Sequence, residues 1–283
     1  MTEHRITIAP GHRRYIRVGT ASKWISDPTL TVAVGDTVII NEGAVPPPPP
    51  PVAGLYIAPS GNDANAGTIT SPMRTILAAS AKLAPGGVLY ARGGTYTGQG
   101  GYNWKSSGTS TAPVTIKAYP GEIPLFDGSG QSHGIIVSSF NYVVIDGLHF
   151  NGFGMGPSGD GSILTLNARG ITIQNCRITN SGAGFQQDHH IYVNSGCADI
   201  VIRNNYMQTT PGAAVHIYHD PGPTNVLIEG NSMLNGYWGV VVGSNANGVR
   251  VNGNTFSGNT INIDNQTGTN VTASGNSPND TIA

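Results

Sequence analysis

Six segments in the second half of the chain share one pattern. They read YVVIDGLHF (142–150), GITIQNCRI (170–178), DIVIRNNYM (199–207), NVLIEGNSM (225–233), GVRVNGNTF (248–256) and NVTASGNSP (270–278). Their fourth residues, taken as references, are Ile145, Ile173, Ile202, Ile228, Val251 and Ala273, with successive separations of 28, 29, 26, 23 and 22 residues. A repeat whose period drifts in this range is typical of stacked coils, each of which buries its apolar side against its neighbours.

Each segment predicts one buried strand that ends at a sharp corner. Two residues before the reference every segment has a β-branched aliphatic residue, as expected for a strand with one buried face. Two residues after it stand Gly147, Asn175, Asn204, Gly230, Gly253 and Gly275. Glycine and asparagine tolerate the left-handed backbone conformation that such a corner requires. The next position is asparagine in the last four segments, which predicts amide hydrogen bonds from coil to coil.

The predicted fold is all-β, a right-handed parallel β-helix over residues 55–283. A propeller would need four strands per repeat, and a leucine-rich repeat would show a leucine consensus. The opening YIAPSGNDANAGT (56–68), SPMRTI (71–76) and APGGVLYARGGTY (84–96) resembles the start of many carbohydrate-active or carbohydrate-binding proteins. On these segments and the repeat, the chain resembles the pectate-lyase-like right-handed β-helix superfamily. The resemblance implies a polysaccharide ligand, but this fold carries lyases, hydrolases, epimerases and inert spikes.

The residues before the repeat predict two accessory parts. Residues 1–45 alternate as strands do and suggest a small anchor-like β module, and residues 46–54 contain six consecutive prolines that favour a stiff, extended linker. In the main domain, Ser71 and Pro72 predict the N-cap and first turn of a short helix that covers the open end of the coils.

Composition excludes several classes of partner. Charged residues make up 10% of the chain and the net charge is −1, so we expect neither nucleic acid nor a membrane as a partner. No apolar run reaches the length of a transmembrane span. The two cysteines, Cys176 and Cys197, lack metal-binding spacing and suggest packed thiols. No cofactor or metal is predicted.

The candidate site lies in DHHIYVN (188–194) and HIYHD (216–220). His190 lies twelve residues before Ile202, and His216 lies twelve before Ile228, so the spacing predicts that they share one position on adjacent coils. Tyr192 and Tyr218 match in the same way. Alternation would place all four side chains on the outer face, where histidine and tyrosine could transfer protons. Passive sugar binding and a purely structural ladder remain open for the same residues.

Other side chains are candidates for contact with substrate. They are two arginines that could neutralise a uronate, three aromatic residues that could stack on sugar rings and two aspartates: Arg177, Arg203, Trp104, Tyr237, Trp238, Asp188 and Asp220. Several lyases of the superfamily use a lysine base and calcium held by aspartates. Here no lysine follows Lys117, and no aspartate cluster is evident. A glycoside hydrolase, which needs paired carboxylates, is the weaker alternative.

These observations predict a phage tailspike-like or other virion-attached protein that engages a bacterial surface polysaccharide, with or without cleaving it. The alternatives are a stand-alone lyase of a uronic-acid polymer and a virion decoration protein without activity. Residues 1–14 lack the apolar stretch of a secretory signal, so we expect a virion location or export without a classical signal peptide. Other virion proteins are candidate partners of residues 1–45, and a homotrimer is compatible with this class.

Overall fold

The computed structural model describes residues 53–98, 101–129, 131–154, 161–182 and 187–283, together with five strands between residues 4 and 41. The chain divides into two compact units, Met1–Val52 and Ala53–Ala283. Strands are numbered in chain order. In the first unit β1 (His4–Thr7) pairs with β4 (Thr29–Val32), and β2 (Arg14–Val18) pairs with both β3 (Ala21–Ile25) and β5 (Val38–Asn41). All three pairings are antiparallel. The proline run lies outside the described residues, and the predicted boundaries of the module and linker stay predictions.

The second unit is a parallel β-solenoid whose strands form three faces. The first face is a nine-stranded parallel sheet. Its strands are β6 (Leu55–Ile57), β7 (Val88–Ala91), β10 (Val114–Ala118), β13 (Val143–Asp146), β16 (Thr172–Gln174), β19 (Ala198–Arg203), β21 (Thr224–Glu229), β23 (Asn247–Asn252) and β26 (Thr272–Ser274). The reference residues Ile145 to Ala273 are direct partners along this sheet, which confirms the predicted repeat.

The second and third faces are joined by two long strands. β20 (Tyr206–Ile217) and β22 (Ser232–Val242) run through the corner, so that each contributes its first half to the second face and its second half to the third. The remaining strands of the second face are β8 (Gly94–Tyr96), β11 (Pro124–Asp127), β14 (His149–Asn151), β17 (Arg177–Thr179) and β24 (Thr255–Ser257). Those of the third are β9 (Tyr102–Asn103), β12 (Ile135–Ser138), β15 (Gly161–Leu166), β18 (His189–Val193) and β25 (Ile261–Asn265).

The predicted corner is confirmed residue by residue. Gly147, Asn175, Asn204, Gly230, Gly253 and Gly275 all have φ between +54° and +70°. Behind them, Asn205, Asn231, Asn254 and Asn276 form a buried ladder. In each step a side-chain oxygen accepts from the backbone N–H and the amide of the preceding asparagine. Asp280 closes the ladder, because its carboxylate accepts from the backbone and side chain of Asn276.

The single helix among the described residues begins later than the sequence predicts. α1 spans Ile76–Ser80, and its N-cap is Thr75, whose hydroxyl accepts from the backbone N–H of Ala78. Asp63 fixes Thr75 by accepting from both its N–H and its hydroxyl. The prediction of Ser71 as N-cap is wrong, because Ser71 forms an antiparallel bridge with Thr68. Within the described part of the chain, no helix has the length and apolar character to cross a membrane.

The two cysteine side chains are buried and free, as the sequence predicts. Burial raises the pKa of the Cys176 thiol to about 12. A thiol that keeps its proton in the interior packs as a small apolar group rather than reacting.

Candidate functional site

A cluster of five rings lies on the outer side of the third face, and we call it the His/Tyr cluster. Its members are His189 and Tyr192 on β18, His216 on β20, and Tyr218 and His219 in the turn that follows. Tyr192 is the direct partner of His216 across the parallel strands. Parallel pairing therefore brings the two rings together from residues distant in sequence.

The rings form a stack. Tyr192 lies 4.9 Å from His216 at an interplanar angle of 13°, and His216 lies 5.1 Å from Tyr218 at 28°. The exposed His219 ring is 5.4 Å from Tyr218 and 6.0 Å from Tyr192. Tyr192 is 6% exposed, whereas His216 and Tyr218 are half-buried. The stack thus presents flat rings with polar edges to solvent at one end of the cluster.

Two hydrogen bonds hold the histidines at the centre of the cluster. Nδ1 of His216 lies 2.8 Å from Nε2 of His189, and Nδ1 of His189 accepts from the backbone N–H of Ala213 at 3.0 Å. Burial lowers the pKa of His216 to about 4, helped by the neighbouring His219. Burial also lowers the pKa of His189 to about 2, with smaller contributions from His216 and His190. Both rings are therefore neutral at neutral pH.

Tyr192 keeps its proton in this environment. Burial raises the pKa of its phenol to about 12, and Tyr218 adds to the effect. The phenol can donate a hydrogen bond or a proton, but it is a poor base near neutral pH.

The predicted pairings of His190 with His216 and of Tyr192 with Tyr218 are wrong, because His216 is the register partner of Tyr192. His190 is 1% exposed, and its Nδ1 lies 2.7 Å from the hydroxyl of Ser181, which in turn contacts the hydroxyl of Ser162 at 2.9 Å. Burial lowers the pKa of His190 to about 3, opposed in part by the backbone carbonyl of Gln208. No group among the described residues lies at hydrogen-bond distance and angle from its Nε2. This histidine belongs to the interior and cannot reach a ligand on the outer face.

The error comes from a turn of unequal length. Seven positions separate Val193 from Ile200, but nine separate the equivalent residues Ile217 and Val226 on the next coil. Counting back from the first face therefore shifts the register by two residues. His189 was missed because its ring reaches His216 diagonally, three positions from the register partner Tyr192. The adjacent histidines at 189–190 were the signal that could have identified it.

The predicted arginines lie on other faces. Arg177 is exposed on the second face, with its guanidinium 4.3 Å from the centre of the Tyr206 ring. Arg203 is exposed on the first face and donates to the Gln174 side chain at 2.9 Å. Neither guanidinium is part of the His/Tyr cluster.

The remaining candidates divide between interior and surface. Trp104 is fully buried and donates to the backbone carbonyl of Ser106, so the prediction that it stacks on sugar is wrong. Asp188 is also buried rather than on the outer face. Asp220 is exposed in the turn directly after His219. Tyr237 and Trp238 are half-buried on β22, 4.3 Å apart, and Trp238 pairs with Ala213, the residue whose N–H holds His189.

The described residues lack a carboxylate cluster of the kind that holds calcium. They contain no group of three or more His, Cys, Asp or Glu side chains that could hold a metal ion. The aspartate-bound calcium known in some members of the superfamily therefore has no counterpart in the described ranges.

Comparison with known proteins places this architecture in a family. The model of the Pel9A-like right-handed β-helix region matches residues 55–236. The chain belongs to the Pel9A-like right-handed β-helix family. This confirms the predicted fold class and its hand, and the match includes β18 and β20 with the His/Tyr cluster.

Individual relatives share parts of this Pel9A-like domain. A 76-residue segment, 27% of the chain, is 41% identical to pectate lyase PEL9 of Emericella nidulans and covers 18% of that protein. The chain thus spans less than a fifth of the length of the curated relatives it matches. An alginate lyase from Paenibacillus sp. str. FPU-7 is similar at 19% identity and a TM-score of 0.59, covering 71% of this chain and 72% of that one. XylC, solved in complex with xylose, is similar at 12% identity and a TM-score of 0.60, covering 79% of this chain and 65% of that one. At these identities the structures show a shared fold.

Proposed function

We propose that this Pel9A-like domain binds a polysaccharide that contains uronic acid, along the outer side of the third face. The observation that carries the proposal is the stack of Tyr192, His216 and Tyr218. Flat rings pack against the C–H faces of sugars, and their N–H and O–H edges bond to hydroxyl and carboxylate oxygens. An acidic sugar is supported by the family and by the relative named as a pectate lyase.

Cleavage by β-elimination is a second candidate, favoured by His219. Among the described residues neither ring nitrogen of this exposed side chain has a hydrogen-bond partner, so it is free to accept a proton from C5 of a uronate. The electron pair would form the C4–C5 double bond as the glycosidic bond breaks, and Tyr192 would donate its proton to the leaving oxygen. The similarity to a pectate lyase and to an alginate lyase supports the same chemistry.

Attachment to a phage particle is a separate proposal. It rests on the predicted β module of residues 1–45 and on the run of six prolines that follows it in the sequence. Copurification of the chain with phage structural proteins supports it, and its absence from purified particles contradicts it.

Native gels that contain polygalacturonate, alginate or dextran test the main proposal. We expect wild-type protein to be retarded by at least one uronic polymer and to pass freely through dextran. Tyr218→Ala should lose the retardation, whereas Arg203→Gln, on the first face, should keep it. No retardation by either uronic polymer, or equal retardation of wild type and Tyr218→Ala, overturns the proposal.

The ultraviolet absorbance of unsaturated products separates binding from cleavage. Product with wild type, and a loss of roughly 10²–10⁴-fold in rate for His219→Ala, would establish elimination. Retardation without product would leave binding as the function.

A further inference from the structure

We infer that His189 is a positioning residue that fixes the neutral Nε2–H tautomer of His216, so that the centre of the His/Tyr cluster offers a hydrogen-bond donor and not a base. The inference deepens the proposed function, on which its ligand class rests. It means that His216 donates a hydrogen bond to an acceptor oxygen of the sugar.

The first step is the tautomer of His189. The backbone N–H of Ala213 points at Nδ1 of this ring at 3.0 Å. A backbone N–H can only donate, so Nδ1 must accept and carries no proton. A neutral imidazole has one proton, which is therefore on Nε2 of His189.

The second step is the tautomer of His216, which follows from that of His189. Nε2–H of His189 points at Nδ1 of His216 across 2.8 Å, so that nitrogen accepts and the proton of His216 is on Nε2. The Nε2–H has no acceptor among the described residues, and the side chain is half-buried. A second proton on His216 would have to go to Nδ1, where it would meet the proton of His189. The geometry and the low pKa of this ring thus favour the same neutral state.

The chemical consequence is a neutral donor in a partly desolvated site. Such a group stabilises an oxygen that carries or develops negative charge, as the carboxylate of a uronate does when the proton at C5 is removed. A neutral imidazole that donates through its proton cannot also accept one at the same nitrogen. If the domain cleaves its ligand, the base is another residue, and His219 is the imidazole of the cluster with free nitrogens in the described structure.

Nitrogen-15 spectra of the imidazole rings in the ligand-free protein test the inference. We expect wild-type His216 to show one tautomer at neutral pH, with the proton on Nε2. His189→Leu, which neither accepts nor donates, should give a mixture of tautomers. His189→Gln should restore the single tautomer because its amide offers one acceptor and one donor. His219→Gln, outside the hydrogen-bonded pair, should leave the tautomer of His216 unchanged.

Affinity gives a second readout. Loss of one oriented hydrogen bond should weaken binding of polygalacturonate oligomers roughly tenfold in His189→Leu, with recovery in His189→Gln. A wild-type His216 with its proton on Nδ1, or a single Nε2–H tautomer that persists in His189→Leu, overturns the inference. Since the spectra need no ligand, they test the tautomer of His216 even if the domain does not bind a uronic-acid polymer. Retained binding in His189→Leu would contradict the positioning role alone.

Discussion

Nε2 of His189 and Nδ1 of His216 lie 2.8 Å apart on adjacent coils, and their ring centres are 4.2 Å apart. Two imidazoles at this distance cannot both become charged without strong repulsion, and burial already opposes the charge on each. The pair therefore stays neutral in the folded state, which links the site to the stability of the domain.

Acid should destabilise the domain through its buried histidines. The pKa values of His189, His190 and His216 are lowered to about 2, 3 and 4, whereas in the unfolded chain each is near 6.5. Below pH 6.5 the unfolded chain takes up protons that the folded chain does not, so stability is lost as the pH falls. Each histidine should lower the free energy of unfolding by roughly 1.4 kcal/mol per pH unit.

Urea unfolding between pH 7 and pH 5 measures this slope. His190→Gln should reduce this slope by the contribution of one histidine. A free energy of unfolding that stays constant or rises toward pH 5 would show that these histidines are protonated in the folded state.

Gly243→Ala should weaken sugar binding without removing a functional group. A Cβ at this position would lie 2.5 Å from the Tyr218 ring, so the ring must move out of the stack. Loss of one stacking contact corresponds to a roughly two- to tenfold weaker affinity. Calorimetric titration with uronic-acid oligomers measures the change, and Tyr218→Phe, which keeps the ring, is the control. Unchanged affinity in Gly243→Ala would mean that the position of the Tyr218 ring is irrelevant to binding.

Asn231→Ala should be strongly destabilising. The Asn231 amide donates to the carbonyl of Ile202, and its oxygen accepts two hydrogen bonds from Asn205. The change therefore leaves these buried groups without hydrogen-bond partners. We expect a loss of about 2–4 kcal/mol in the free energy of unfolding. Asn252→Ala, a half-buried asparagine on the outer side of the same corner, should cost well under half of that in denaturant unfolding. Equal effects at the two positions would remove the ladder as a source of stability.

Trp104→Ala should separate stability from binding. The indole is fully buried and bonded to the Ser106 carbonyl at 2.6 Å, so its loss should cost about 3–5 kcal/mol. At a temperature where the variant is folded, its retardation in uronic-acid gels should match wild type. Weaker retardation of the folded variant would restore Trp104 as a candidate sugar contact.

The fold could be predicted from the sequence because its constraints are local. A corner needs a residue with left-handed backbone conformation, so Gly147 and Asn175 identify its position regardless of the lengths of the other turns. The predicted site depended instead on the number of residues between faces. Two extra residues in the turn before Val226 were enough to make Tyr192, and not His190, the register partner of His216. Burial of Trp104 was equally hidden, because no periodic pattern surrounds it.

The most direct test of the proposed binding surface is the structure of the domain with a uronic-acid oligosaccharide bound. A sugar ring should lie over the stack of Tyr192, His216 and Tyr218, with one of its oxygens within hydrogen-bond distance of Nε2 of His216. A sugar bound on the first or second face instead, beside Arg203 or Arg177, would contradict the proposal.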